Sequence, residues 1–221
     1  PLNLYMNKLS LLITCVFLLS SCSTIQSEKE NEQNSNVLGV PFSSQAPFAN
    51  WDNPYQEACE EMSLLMVHNF FENKDMNPES ANSELLSLLR WESKNQYPED
   101  VTIQELAEIS VTYFDYLAAI VVNPSIDDLK NSIDEGNPII VPAAGRKLDN
   151  PYFSGEGPWY HMLVITGYTD THFITNDPGT RRGEGYEYEF DTLLNSIHNW
   201  TGVKEEIENG DNLVLVLSKK V

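Results

Sequence analysis

A thiol, an imidazole and a carboxylate suffice to cleave a peptide bond, with a thiolate attacking, an imidazole moving the proton and a third group orienting the imidazole. The 221-residue chain offers three cysteines and four histidines. Cys15 and Cys22 fall in an apolar N-terminal stretch and at its end, so Cys59 is the only thiol in the rest of the sequence. A solitary thiol is either a small buried hydrophobe or a reactive group, and counting alone leaves both open. Position adds information, because Cys59 stands where a helix should begin. A thiol pKa near ~8.5 falls to roughly 3.5–7.5 at a helix N-terminus beside an imidazolium. Glu57, Glu60 and Glu61 act in the opposite direction unless they point into solvent, so an imidazole partner is required.

His68 lies on the same helix, about two and a half turns beyond Cys59 and out of reach. His198, beside Asn199 and Trp200 at a helix end, suits a dipole-complementing role. His161 and His172 both open strands, and His161 follows a glycine-bearing loop (GEGPWY) into the apolar run MLVI. A polar residue at the mouth of a buried strand is the less ordinary of the two. A base also needs a partner for its second ring nitrogen. A hairpin around Thr169 to Thr171 brings Asn176 and Asp177 back beside His161, and strand alternation lets only one of them face it. A plain Asp-Pro-Gly turn is the other reading of Asp177. No His pair at i, i+4 with a Glu and no Cys pair occurs, so neither metal nor cofactor is expected.

The elements that must position these groups change period along the chain. Leu38 to Phe42 reads as a short strand, followed by a loop to Tyr55. Met62, Leu65, Met66, Asn69 and Phe70 mark one face of a helix beginning near Cys59. Glu79 to Trp91 and Thr102 to Ser110 read as two more amphipathic helices. Another starts with Ser125 as N-cap and stops at Gly136. Strands then follow at Asn137 to Pro142, Tyr160 to Tyr168 and His172 to Asn176, with a further one at Tyr186 to Phe190. A helix over Asp191 to Trp200 and a buried strand over Asn212 to Ser218 complete the pattern. Helices first and antiparallel strands afterwards predict an α+β domain.

From Met6, one positive charge at Lys8 precedes an apolar run from Leu9 to Leu19, too short to cross a bilayer of roughly 30 Å hydrocarbon thickness. This is the layout of a secretory signal. The sequence LSSC at Leu19–Cys22 resembles the bacterial lipoprotein signal, which implies that residues 1–22 are a signal peptide and that Cys22 carries the lipid. Residues 23–36 are polar and aperiodic and read as a disordered tether, with the folded domain at 37–221. The expected location is therefore exported and membrane-anchored through Cys22. The formal charge of −20, from 13 basic and 33 acidic residues, argues against nucleic acid and against electrostatic adhesion to anionic lipid.

VPFSSQ at Val40–Gln45, Cys59, WYHMLVITGY at Trp159–Tyr168 and NDPGT at Asn176–Thr180 together resemble the papain-like cysteine peptidases related to the bacteriocin-processing, double-glycine leader peptidases. The resemblance extends over most of the chain from Val37. It implies a papain-like fold and a Cys–His–Asp system acting on a peptide or protein substrate. Carried over, Cys59 is the nucleophile, His161 the base, Asp177 the orienter and Gln45 an oxyanion donor alongside the Cys59 N–H; Gln56 is a rival for Gln45. Family members usually carry a small residue after the cysteine, where this chain has Glu60. Two other readings use the same residues: a non-catalytic peptide-binding module of this fold, and a cell-wall murein endopeptidase. Arg146, Lys147, Arg181 and Arg182 flank the His and Asp strands and either hold a substrate carboxylate or pair with nearby acids.

Overall fold

The computed structural model describes residues 36–220. The expected signal peptide, the lipidation site Cys22 and the tether up to residue 35 lie outside the described residues. Asn36, placed at the tether's end, already belongs to a short strand, β1 (Asn36–Val37), paired with Tyr168 and Gly167.

The architecture is α+β, as the order of periodicities predicts. Three helices follow β1: α1 (Cys59–Glu72), α2 (Pro78–Lys94) and α3 (Ile103–Phe114). After β2 (Leu117–Val122) and α4 (Ile126–Asp134) come β3 (Ile139–Ala144), β4 (Tyr160–Tyr168), β5 (His172–Asn176), β6 (Tyr186–Glu189), α5 (Phe190–Ser196) and β7 (Leu213–Ser218). The strands form one antiparallel sheet in the order β2-β7-β3-β4-β5-β6, with β1 against the far end of β4.

Both faces of the sheet are covered, which explains why its central strands read as continuous apolar runs. Ile140, Met162, Val164, Leu215 and Leu217 alternate onto the face that packs with Met62, Leu65, Leu88 and Ile109 of α1–α3. Ile139, Val141, Leu163, Ile165 and Val214 turn to the other face, against Leu129, Ile133 and Leu193 of α4 and α5. Helix α1 is the hub: Met62, Leu64, Leu65, Met66 and Val67 are all buried, as expected of a helix enclosed by α2, α3 and β4.

Capping sets the helix starts. Asn77, Thr102 and Ser125 each close a reciprocal capping box, with Ser80, Glu105 and Asp128 respectively. Helix α1 differs. Its N-cap is Ala58, which offers no side-chain acceptor, so the N-cap residue makes no side-chain hydrogen bond to the first turn.

Three expectations are corrected and one strand is added. Leu38 to Phe42 is not a strand: Pro41 has no N–H to donate, and the segment is held instead by Leu38 N–H on the Thr166 carbonyl (2.7 Å) and by the Asn176 amide on the Val40 carbonyl (2.9 Å). The β2 strand was not foreseen, because LAAIVV follows α3 after only Asp115 and Tyr116. The strand expected at Asn137–Pro142 runs two residues later. The last helix ends at Ser196, since the following residues join the sheet: Ile197 bridges Ala143, and His198 N–H donates to the Pro142 carbonyl.

Candidate functional site

Where the start of α1 meets the start of β4, a cleft of 990 Å³ opens, and Cys59, His161 and Gln45 all line it. Cys59 is the first residue of α1. Its thiol hydrogen-bonds Glu60 Oε2 at 3.1 Å and makes no hydrogen bond to the imidazole. Burial, then the charge and hydrogen bond of Glu60 and the charge of Glu61, push the thiol pKa well up; the Met162 backbone N–H pulls the other way. The depressed thiol expected from a helix N-terminus is therefore not the resting condition. Two features cause this: the thiol is itself buried, and Glu60 and Glu61 do not point into solvent but are each 1% exposed.

Glu60 is enclosed because the segment at Asp100–Val101 folds over it, fixed by Tyr160 Oη donating to the Val101 carbonyl at 2.9 Å. Its pKa rises to about 8, with burial as the leading cause and the bond to Cys59 acting against it. Oε1 of the same carboxyl has no partner.

The imidazole of His161, 2% exposed, meets Asp177 through Nε2–Oδ1 at 2.7 Å. Register explains the meeting. Val164 pairs with Asn176, so Asp177 comes opposite Leu163, two residues from His161 along one face. Asn176 faces the other way, its amide on the Val40 carbonyl and its Oδ1 accepting from Gly185 N–H. Asp177 is wholly buried, and burial would raise its pKa. The His161 charge and the bonds from His161, Tyr188 and the Gly179 N–H outweigh burial and leave it lowered.

Sequence reasoning missed the rest of this carboxylate's support. Tyr188 Oη donates to Oδ2 at 2.6 Å and Asn150 Nδ2 at 3.1 Å, while Gly179 N–H reaches Oδ1 at 2.9 Å. Nothing in the spacing marks Asn150 or Tyr188, since they come from a separate loop and strand. The glycines of the turn leave the room that His161 and Asp177 occupy. A Cβ on Gly179 would stand 2.7 Å from His161 Cε1, and one on Gly183 would stand against the Asp177 carbonyl oxygen. Phe153 closes the other side of the imidazole edge to face, with centroids 5.2 Å apart.

Gln45 is placed differently from its expected role. Its Nε2 donates to the carbonyls of Tyr55 and Gln56, both at 2.9 Å, and its Oε1 is buried without a partner. Both N–H groups are thus engaged on the 3₁₀ turn that leads into Cys59, and an oxyanion would have to draw one of them away. Gln56, the rival, is exposed and donates to Glu57 Oε1.

The remaining histidines lie elsewhere. His68 stacks on Phe114 and bonds Tyr116 Oη, His172 bonds Thr171 Oγ1, and His198 bonds the Gly210 carbonyl. Among the described residues no cluster of three or more ligating side chains suits a metal ion, and no helix is long and apolar enough to cross a membrane.

Residues 37–207 match the profile of the Peptidase_C39 like family. No curated protein matches the sequence. Among solved structures, a putative C39-like peptidase from Bacillus anthracis superposes with a TM-score of 0.53 at 15% identity, covering 83% of this chain and 98% of that one. The likeness extends to the fold, a papain-like α+β arrangement of helices on an antiparallel sheet.

Proposed function

The chain belongs to the Peptidase_C39-like family, and on that premise we propose that it hydrolyses peptide bonds with Cys59 as nucleophile, His161 as general base and Asp177 as orienter. One observation carries the reading: the buried His161–Asp177 pair at 2.7 Å opens onto the same cleft as the Cys59 thiol. Because Nε2 engages Asp177, Nδ1 is the nitrogen left to accept a proton. With substrate bound, the thiol turns from Glu60 and passes its proton to Nδ1. The sulfur attacks the peptide carbonyl, and the tetrahedral oxyanion is met by the Cys59 N–H at the start of α1. The imidazolium returns its proton to the leaving amine, giving a thioester. Water, deprotonated at Nδ1, then releases the acid and restores the thiol. Gln45 holds the turn before Cys59 and supplies a second oxyanion donor only when it yields one of its carbonyl bonds.

A peptide library digested with purified protein tests this. Cys59→Ala and His161→Ala should each abolish cleavage while leaving the circular dichroism spectrum unchanged; full cleavage by either variant refutes the assignment.

The thiol's bond to Glu60 favours one second reading, a non-catalytic peptide-binding module of the same fold. Alkylation of Cys59 no faster than a model peptide thiol, even with bound peptide, would support it. We further propose that the domain is exported and anchored by lipid at Cys22. Metabolic labelling with a fatty acid should mark the wild-type chain and not Cys22→Ser.

A further inference from the structure

We infer that the cleft selects peptides bearing a carboxylate, held by Arg181 and Arg182; this inference rests on the proposed peptidase site and names its substrate class. The basic residues flanking the His and Asp strands divide into two kinds. Arg146 pairs with Glu156 at 3.2 Å and lies over the Trp159 ring, and Lys147 pairs with Glu208 at 2.9 Å. Arg181 and Arg182 make no ion pair with any acid among the described residues, although the chain holds 33 acidic residues against 13 basic ones. Both line the cleft that contains Cys59 and His161, and among the described residues no other Arg or Lys lines it.

Their placement is fixed by the turn that fixes the base. Asp177 N–H donates to the Gly183 carbonyl (2.9 Å), and the Pro178 carbonyl accepts from Gln45 N–H (3.0 Å) and from Ser44 Oγ. Arg182 N–H is bound to Thr180 Oγ1, and its guanidinium lies 4.8 Å from the centre of the Tyr152 ring. A guanidinium stacked on a ring keeps its N–H fork open, the geometry that takes a carboxylate bidentately. Glu57 lines the same cleft with the opposite sign. An acidic peptide group is repelled by a chain of charge −20 in general and attracted at this one wall, so the selection is local and weakens with salt.

The carboxylate has two sources, a Glu or Asp side chain or a peptide C-terminus, and the test separates them. Quenched fluorescent peptides are compared in matched sets: internal Glu against Gln with an amidated end, and free against amidated C-terminus without internal acid. The acidic member of one set should be cleaved with kcat/KM about ten-fold or more above its neutral match, as expected for a charge-assisted bond. That ratio should fall toward one in Arg181→Gln/Arg182→Gln and shrink in high salt. Binding of the same peptides to Cys59→Ala, read by fluorescence polarisation, gives an answer independent of turnover. Cys59-dependent cleavage with equal rates within both sets overturns the carboxylate inference and leaves the peptidase reading standing. Arginine-dependent binding of the acidic member without any cleavage does the reverse.

Discussion

Replacing Glu60 with Gln removes a carboxyl that becomes negative only near pH 8, 3.1 Å from the Cys59 sulfur, while keeping the side chain's shape. Two unit charges at that separation repel by about 5 kcal/mol at an effective dielectric of ~20 and by about 1 kcal/mol in bulk water. At 1.36 kcal/mol per pKa unit, the thiol midpoint should fall by between ~1 and ~4 units. In the wild-type pair the first proton leaves Glu60 near pH 8, so the second must come off the thiol against a neighbouring negative charge. In Glu60→Gln the thiol ionises alone. Alkylation by iodoacetamide, followed at Cys59 by mass spectrometry from pH 6 to 11 in a chain with Cys15 and Cys22 changed to Ser, reads the midpoint directly. A midpoint that stays or moves up refutes the account, for then the Glu60 charge does not suppress the thiolate.

Three further perturbations bear on the site and its supports. Glu92 lies in α2 beside Glu61 of α1, and burial raises its pKa from 4.5 to about 7. Its contribution to stability is complete below about pH 4.5 and lost as pH rises through about 7, up to about 3 kcal/mol; Glu92→Gln should flatten that part of a melting-temperature profile, and an unchanged profile counts against the buried pair. Gly179→Ala places a methyl 2.7 Å from His161 Cε1 and 3.0 Å from Phe153 Cε1. It should cut kcat/KM about 100-fold through a misplaced imidazole with little loss of fold, whereas wild-type turnover would show that the imidazole tolerates displacement. Asp177→Ala strands His161, Tyr188, Asn150 and the Gly179 N–H and should cost about 3–5 kcal/mol in urea unfolding. Because its pKa is lowered, the stability Asp177 contributes is present above the usual carboxylate value and lost only as acid takes the pH below it; a loss of stability beginning near neutrality would contradict this.

What the sequence disclosed and what it withheld divide along the distance over which each feature is decided. The α1 face, the Ser125 cap and the β4–β5 hairpin are local patterns, and they put Cys59 at a helix start and Asp177 beside His161; the pairing of Cys59 with His161 came from the family resemblance, since α1 and β4 lie about a hundred residues apart. Choosing Asp177 over Asn176 was nearly local as well: it needed only the register, which pairs Asn176 with Val164 and turns its amide toward the Val40 carbonyl. Glu60 is the opposite case. A glutamate in the first turn of a helix ordinarily complements the dipole from solvent, and neither its type nor its spacing says otherwise. It becomes buried because Tyr160, a hundred residues further on, ties the Val101 carbonyl down over it. Likewise the role read for Gln45 assumed a free amide, and the carbonyls that engage that amide belong to a turn whose path the sequence did not predict. The same division explains the arginines. Their presence near the His and Asp strands was legible, but the choice between ion pairs and a substrate depended on where Glu156 and Glu208 fall, and both fall on Arg146 and Lys147. Candidate positions were thus readable from pattern and resemblance, while the protonation states that govern them depend on segments that fold over from elsewhere in the chain.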